Sequence, residues 1–339
     1  MTALAATVAP ATSPRATLSS LQQLVEADLA QVNRVIVEQG RSEITLISDI
    51  ASHIIAAGGK RLRPCLTLAA TTLCGYEGDR HIRLAACVEF IHTATLLHDD
   101  VVDTSDLRRG AATANAVWGN KSSVLVGDFL LSRAFQLMVA DGSLDVLKIL
   151  SDAAAIISAG EVQQLMVSHD IGITQEIYEQ VISAKTAALF AAACELGAVV
   201  SDQPQWREPL RRYGQALGMA FQLMDDALDY QATEADLGKA IGDDFREGKV
   251  TLPVMLAYAI GSADERAFWQ RTLAHEDAIT AEDLRHARQL LVNHQAFEKT
   301  RRVAETYAEQ ARTALQSFPT SAAKLALIEA ADFAVNRGY

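Results

Sequence analysis

Proline is scarce in this chain, 7 in 339 residues, and aromatic residues make up only 6% of it. No stretch rich in Val, Ile and Thr alternates with polar residues, so the pattern that a β fold requires is missing. Basic residues are outnumbered, 30 Lys and Arg against 42 Asp and Glu, and the net charge of −12 opposes encounter with a polyanion such as nucleic acid. The four cysteines, Cys65, Cys74, Cys87 and Cys194, stand singly among apolar residues with no CxxC pair. That excludes a zinc site of cysteines and a disulfide framework, and points to a reducing, cytoplasmic setting. No apolar run reaches the ~18 residues of a spanning helix without a charge or glycine; Thr186 to Val200, for example, is broken by Glu195 and Gly197. Met1 to Arg15 has one basic residue and no long apolar core, which fits neither a transit nor a signal peptide.

Half of the residues are hydrophobic, enough to bury a large core. Ala, Leu, Glu and Gln recur at helical spacing, so the expected class is all-α. Residues 1–16 are expected to form a disordered tail and residues 17–339 a single domain, since neither a Gly/Ser linker nor a repeat divides them. A helix is expected from Ser19 or Ser20, with Gln22 and Gln23 in capping-box spacing. Others are expected over Glu43–Ala57, Pro64–Leu73, His81 to about Asp99, Ser122–Val139, Leu144–Val167, Thr174–Val200 and Pro204–Tyr230. Gln231 to Thr251, with Gly238, Gly242 and Gly248 among charges, reads as a mobile loop.

Two stretches spoil otherwise apolar helices with acid. LLHDDVVDTSDLRRG carries Asp99, Asp100 and Asp103, and FQLMDDALDY carries Asp225, Asp226 and Asp229. Positions four apart share a helix face, where like charges cost roughly 0.2–0.5 kcal/mol each, so local stability does not account for them. A solvated acidic face would have polar neighbours. Here the flanks are Leu96, Leu97, Val101 and Val102, and Phe221, Leu223, Met224 and Leu228. Carboxylates grouped in an apolar cleft repel unless cations neutralise them, and hard oxygen ligands suit Mg²⁺, which adds substrate phosphates to its shell. Two facing clusters would therefore grip a diphosphate through shared metals. In this acidic protein, GGKRLRP concentrates Lys60, Arg61 and Arg63 before a helix N-terminus, and Arg108 and Arg109 follow the first aspartates. Guanidinium matches phosphate in bidentate fashion, which suggests a second, metal-free diphosphate site, with His92 about two turns before Asp99.

These residues resemble those of the trans-isoprenyl (polyprenyl) diphosphate synthases. The likeness runs through GGKRLRP, EFIHTATLLHDDVVDTSDLRRG, GNKSSVLVGDFLLSRAFQ, GEVQQL, the pair Lys185-Thr186, FQLMDDALDY and GDDFREGKVTLP, nearly the whole ordered chain, and is nearest to the long-chain, octaprenyl type. The resemblance implies antiparallel helices around a central cavity, a homodimer, and condensation of isopentenyl diphosphate onto an allylic diphosphate such as farnesyl diphosphate, supplying a quinone side chain. It implies that Asp99, Asp100, Asp103, Asp225, Asp226 and Asp229 hold Mg²⁺, three ions per active site with substrate bound. Arg108, Lys185 and Lys239 are then expected on the allylic diphosphate, and Lys60, Arg63, His92 and Arg109 on isopentenyl diphosphate. Lys185, Thr186 and Gln222 are expected beside the reacting carbons, with transient membrane contact at product release.

Product length is expected to depend on what lies below the first aspartates: Thr95, Ala94, Ile91 and Val88 on the same helix, with Leu137 and Met138 as candidate tunnel floor. Small Ala94, where short-chain relatives commonly carry a bulky aromatic, implies a long product. Shorter (geranylgeranyl) or longer (nonaprenyl, solanesyl) products are the alternatives, as is a non-catalytic regulatory subunit. A terpene cyclase is disfavoured by the second DDxxD. A di-iron bundle is disfavoured because Glu89-Phe90-Ile91-His92 has no second ExxH partner.

Overall fold

The computed structural model describes residues 17–56, 59–108, 110–231, 242–274 and 279–337. The predicted tail lies outside the described residues. The chain is all-α. Its helices are α1 (Ser19–Gln39), α2 (Thr45–Ala56), α3 (Leu62–Leu73), α4 (Arg80–Val102), α5 (Ala114–Trp118), α6 (Asn120–Asp141), α7 (Leu144–Val167), α8 (Gln175–Ile182), α9 (Ala188–Val200), α10 (Pro204–Gln231), α11 (Asp243–Arg246), α12 (Leu252–Ile260), α13 (Ala263–Leu273), α14 (Ala281–Asn293), α15 (Ala296–Ala314) and α16 (Ala322–Asn336). Two short strands, β1 (Leu107–Arg108) and β2 (Ala111–Ala112), pair antiparallel as a hairpin behind the first acidic cluster.

The boundaries follow local chemistry where caps exist. Ser143 accepts from the Val146 amide and starts α7 at Leu144, and Pro64 sits in the first turn of α3, where its missing N–H is harmless. The capping box expected at Ser19 is not formed: Leu18 is the N-cap, with no side-chain bond, and α1 is held instead by Leu21, Val25, Val32 and Ile36, all buried. The expected Thr174–Val200 helix is helical throughout but is interrupted by a π-turn, Ser183–Ala187. Such a turn inserts one extra residue and redirects side chains, often at functional sites.

Helix α4 is buried along most of its length, as is α9, and the core forms around them. Helices α9 and α10 cross closely because α10 has glycines at the contact: a Cβ on Gly214 would lie 2.3 Å from the Phe190 carbonyl oxygen, and one on Gly218 2.5 Å from the Ala187 Cα. A second core, with Tyr230, Phe245, Trp269 and Leu291, lies under the 242–296 region. The Gln231–Thr251 segment is therefore not wholly the mobile loop expected. Its described part is anchored by Phe245, fully buried, and by the His169 amide, which donates to the Gly248 carbonyl at 2.9 Å.

Two helical runs, Asn120–Asp141 and Gln175–Val200, are long and apolar enough to cross a bilayer by length and composition, contrary to the expectation that no run qualifies. The second is 72% buried inside the fold, the mark of a core helix. The first leaves Leu125 and Val139 exposed.

Candidate active site

A cavity of about 680 Å³ opens among α3, α4, α7, the α8–π-turn run, α10 and the 243–251 segment. Both acidic motifs reach it. Asp99 in the last turn of α4 and Asp103, its C-cap, line one wall, and Asp225, Asp226 and Asp229 of α10 line another. A larger surface groove of about 1370 Å³ lies over α8, α10 and α15, but its arginines are satisfied by its own acids: Arg211 and Arg212 pair with Glu208, and Arg312 with Glu305 and Glu309. The chemistry is in the smaller cavity.

The middle aspartates behave differently from their neighbours. Asp100 is 1% exposed, does not line the cavity, and accepts from Arg108 Nε at 2.7 Å. One step along a helix is a 100° turn, which aims this carboxylate at the hairpin and away from the cavity that Asp99 and Asp103 line. Asp226 is buried, with Oδ2 accepting from the Tyr178 hydroxyl at 2.5 Å and Oδ1 from Gln222 Nε2 at 2.7 Å. Both of its oxygens are engaged by protein donors. Asp225, by contrast, is exposed and lies 3.1 Å from Arg337 Nη2, and Asp229 accepts from the Asp244 amide at 3.2 Å.

The electrostatics demand a cation. Burial pushes the Asp99 carboxyl up to about 7; Lys185 opposes this, while Glu161 and Asp103 add to it. Burial likewise raises Asp100, against the pull of Arg108. Among the described residues no three acidic or metal-ligating side chains converge tightly enough to hold an ion by themselves. A hard cation here needs oxygens from substrate and water to complete its shell, which is how Mg²⁺ binds in phosphate sites. The donor set fits that ion.

The cations are placed between and beyond the acids. Lys185 Nζ rests 2.9 Å from Glu161 Oε2, and the adjacent Thr186 hydroxyl donates to Gln222 Oε1 at 2.7 Å. Lys249 Nζ lies 3.3 Å from Asp103 and also pairs with Glu247. Burial disfavours its charge, but Asp244, Asp103 and Glu247 outweigh that and raise its pKa. On the same lining, the Lys60 ammonium sits over the Phe333 ring, the Arg63 guanidinium over Phe190, and Arg63 Nη1 is 3.2 Å from His92 Nε2. Arg61 is used internally, paired with Glu89. That pairing also disposes of the ExxH at Glu89, whose carboxylate is already neutralised.

Arg109 and Lys239 lie outside the described residues. Of the six tunnel candidates only Thr95 lines the cavity. Val88, Ile91, Ala94, Leu137 and Met138 are core residues, between 0% and 7% exposed. Helices α4 and α6 are in contact there, the Cys87 thiol donating to the Ala134 carbonyl at 3.3 Å. The sequence reading missed Tyr178, Glu161, Asp244, Glu247, Lys249 and Arg337, all on the cavity wall. Glu161, Asp244, Glu247 and Lys249 fell inside motifs already singled out, GEVQQL and GDDFREGKVTLP; Tyr178 and Arg337 carried no local signal.

An all-α fold that closes one cavity between acid-bearing helices, with cations interleaved, defines an isoprenoid-synthase-type prenyltransferase. The comparisons agree: residues 44–291 match the family model described as polyprenyl synthetase, and the chain belongs to that family. It is 46% identical over 325 residues to the octaprenyl diphosphate synthase of Escherichia coli K12, covering 94% of this chain and 99% of that one. It is 40% identical over 314 residues to the all-trans-nonaprenyl-diphosphate synthase (geranyl-diphosphate specific) of Rhodobacter capsulatus, covering 92% and 96%. A polyprenyl synthase from Caulobacter crescentus CB15, crystallised with calcium and isoprenyl diphosphate, superposes with a TM-score of 0.93 at 50% identity, covering 96% and 99%.

Proposed function

We propose that this prenyltransferase is a long-chain all-trans-polyprenyl diphosphate synthase of the octaprenyl type, adding isopentenyl diphosphate to an allylic diphosphate such as farnesyl diphosphate. The observation that carries the reading is the convergence of Asp99 and Asp103 with Asp225 and Asp229 on one cavity that Lys60, Arg63, Arg108 and Lys185 also line. The octaprenyl and nonaprenyl relatives support the product class.

Asp99, Asp103, Asp225 and Asp229 would hold Mg²⁺, three ions in the substrate-bound enzyme. When bound, the metal supplies the positive charge that draws off the allylic diphosphate. Arg108, Lys185 and Lys249 neutralise the same diphosphate, with Lys239 from the segment beyond. Lys60, Arg63, His92 and Arg109 hold isopentenyl diphosphate. The allylic C–O bond breaks, the isopentenyl double bond attacks the allylic carbon, and the proton lost from the new chain passes to the departed diphosphate. Thr186 and Gln222 turn oxygen dipoles toward the positive charge, which develops where no water is admitted.

The same reading takes the enzyme as a homodimer. On α6 and α7, Leu125, Val139, Leu144 and Met166 are 66%, 67%, 81% and 80% exposed, and exposed apolar side chains grouped on neighbouring helices suit a protein–protein contact. Cytoplasmic placement, transient membrane contact at product release and use of the product as a quinone side chain belong to this proposal too; four free, largely buried cysteines suit a reducing compartment. The test is incubation of the purified protein with farnesyl diphosphate, labelled isopentenyl diphosphate and Mg²⁺, with sizing of the dephosphorylated products. Octaprenyl-class alcohols are expected. No incorporation, or products ending at geranylgeranyl, overturns the reading.

A further inference from the structure

Tyr178 lies outside every motif so far given a task, yet its ring is 4% exposed and its hydroxyl meets a carboxylate of the second acidic motif at 2.5 Å. From there a chain of hydrogen bonds runs inward. Tyr178 donates to Asp226 Oδ2, Gln222 Nε2 donates to Asp226 Oδ1 at 2.7 Å, and the Thr186 hydroxyl donates to Gln222 Oε1 at 2.7 Å. Both ends of the chain lie on one helical run. Asp226 and Gln222 are one turn apart on α10, while Tyr178 and Thr186 are on the run that contains the π-turn Ser183–Ala187. An extra residue in that run sets where Thr186 meets α10 relative to Tyr178.

The consequence concerns the amide of Gln222. A carboxamide has a donor end and an acceptor end, and its neighbours decide which faces which way. Asp226 Oδ1 accepts from the NH₂ end, so the oxygen end is directed at Thr186, whose hydroxyl donates to it. A carboxylate free to rotate would not enforce this. Asp226 is not free, because the phenol fixes its second oxygen. We propose that Tyr178 is a positioning residue for the condensation: through Asp226 it fixes the carboxamide of Gln222 with its oxygen toward the carbons that become positively charged. This rests on the reading that Gln222 lies beside the reacting carbons. It assigns to Asp226 a task within the protein, parallel to that of Asp100 with Arg108, in place of metal ligation.

Tyr178→Phe removes one oxygen and keeps the ring, so the buried site stays filled. Its kcat is expected to fall on the order of tenfold, about the worth of one well-aligned hydrogen bond made in the transition state. The KM for isopentenyl diphosphate and the Mg²⁺ midpoint are expected to stay within about twofold. Calorimetric binding of Mg²⁺ with inorganic pyrophosphate, which reports the metal site without turnover, is expected to be unchanged, whereas Asp225→Ala weakens it. In a Gln222→Ala background, Tyr178→Phe is expected to cost nothing further. A normal kcat in Tyr178→Phe, a shifted Mg²⁺ midpoint or additive losses in the double variant each overturn the proposal. Should Tyr178→Phe lower the melting temperature severely, Asp226→Asn serves in its place, with the same loss in kcat and the same unmoved Mg²⁺ midpoint expected; a moved midpoint would make Asp226 a metal ligand after all. Normal kcat in Gln222→Ala alone refutes the underlying assignment of Gln222. A loss there with wild-type behaviour in Tyr178→Phe refutes only the role of the tyrosine.

Discussion

At the scale of single residues, the acids were legible because they contradict their surroundings: aspartates emerging from apolar helices have no structural reason to be there. What each does was not legible. Asp99 and Asp100 look alike in sequence, and only the fold shows that the first lines the cavity while the second is held by Arg108. Tyr178 is 48 residues from Asp226, a distance no local pattern bridges. One consequence is measurable by pH. With burial as the main cause, and Lys185 opposing it, Asp99 sits near 7, and a metal binds only its ionised form. The Mg²⁺ concentration for half-maximal activity is expected to rise as pH falls below 7, by up to about tenfold per unit, since one proton is displaced. In the metal-free protein the sign is reversed in kind: a folded-state value raised above the ordinary 3.8 favours the protonated fold. This group's stabilising contribution is then full below about 3.8 and is lost as pH rises through about 7. A Mg²⁺ midpoint constant from pH 8 to 6 contradicts the assignment.

At the scale of elements, helix ends with clear signals were legible, as with Ser143 before α7 and Pro64 inside α3. The π-turn was not, because a single i→i+5 turn changes no periodicity that a sequence reveals. The β1–β2 hairpin, two residues per strand, is too short to alternate. His53 of α2 holds that hairpin, its Nε2 lying 2.7 Å from the Ala112 carbonyl oxygen and its ring edge-on to Trp118. The α9–α10 crossing brings Thr186 to Gln222, so its glycines govern the site. Gly214→Ala places a methyl 2.3 Å from the Phe190 carbonyl oxygen and is expected to destabilise by about 1–3 kcal/mol, with activity lost before unfolding, as read by thermal melts and initial rates. An unchanged melting temperature would show that the helices separate freely. On α4, Thr95 is the tunnel candidate on the cavity wall, so Thr95→Phe is expected to shorten the product, by chromatography of the dephosphorylated chains. Unchanged chain length would place the growing end elsewhere.

At the scale of the whole molecule, fold class and family were legible because helical periodicity and the ordered motifs extend along most of the chain. The tunnel was not. Whether Val88, Ile91 and Ala94 face a channel or a neighbouring helix depends on how α4 meets α6, and they are packed there. The uncovered apolar face of α6 and α7 predicts association: Leu125→Glu, at a side chain 66% exposed, is expected to give monomers by light scattering with helical content intact. An unaltered dimer would move the interface. The central claim is that the two acidic helices form a single metal–diphosphate site. Its most direct measurement is calorimetric titration with a non-hydrolysable allylic diphosphate analogue, with and without Mg²⁺, in the parent protein and in Asp99→Ala and Asp225→Ala. Tight binding that requires Mg²⁺ and is lost in either variant alone is predicted. Equal binding in EDTA, or full binding with one of the two helices stripped of its aspartate, would contradict it.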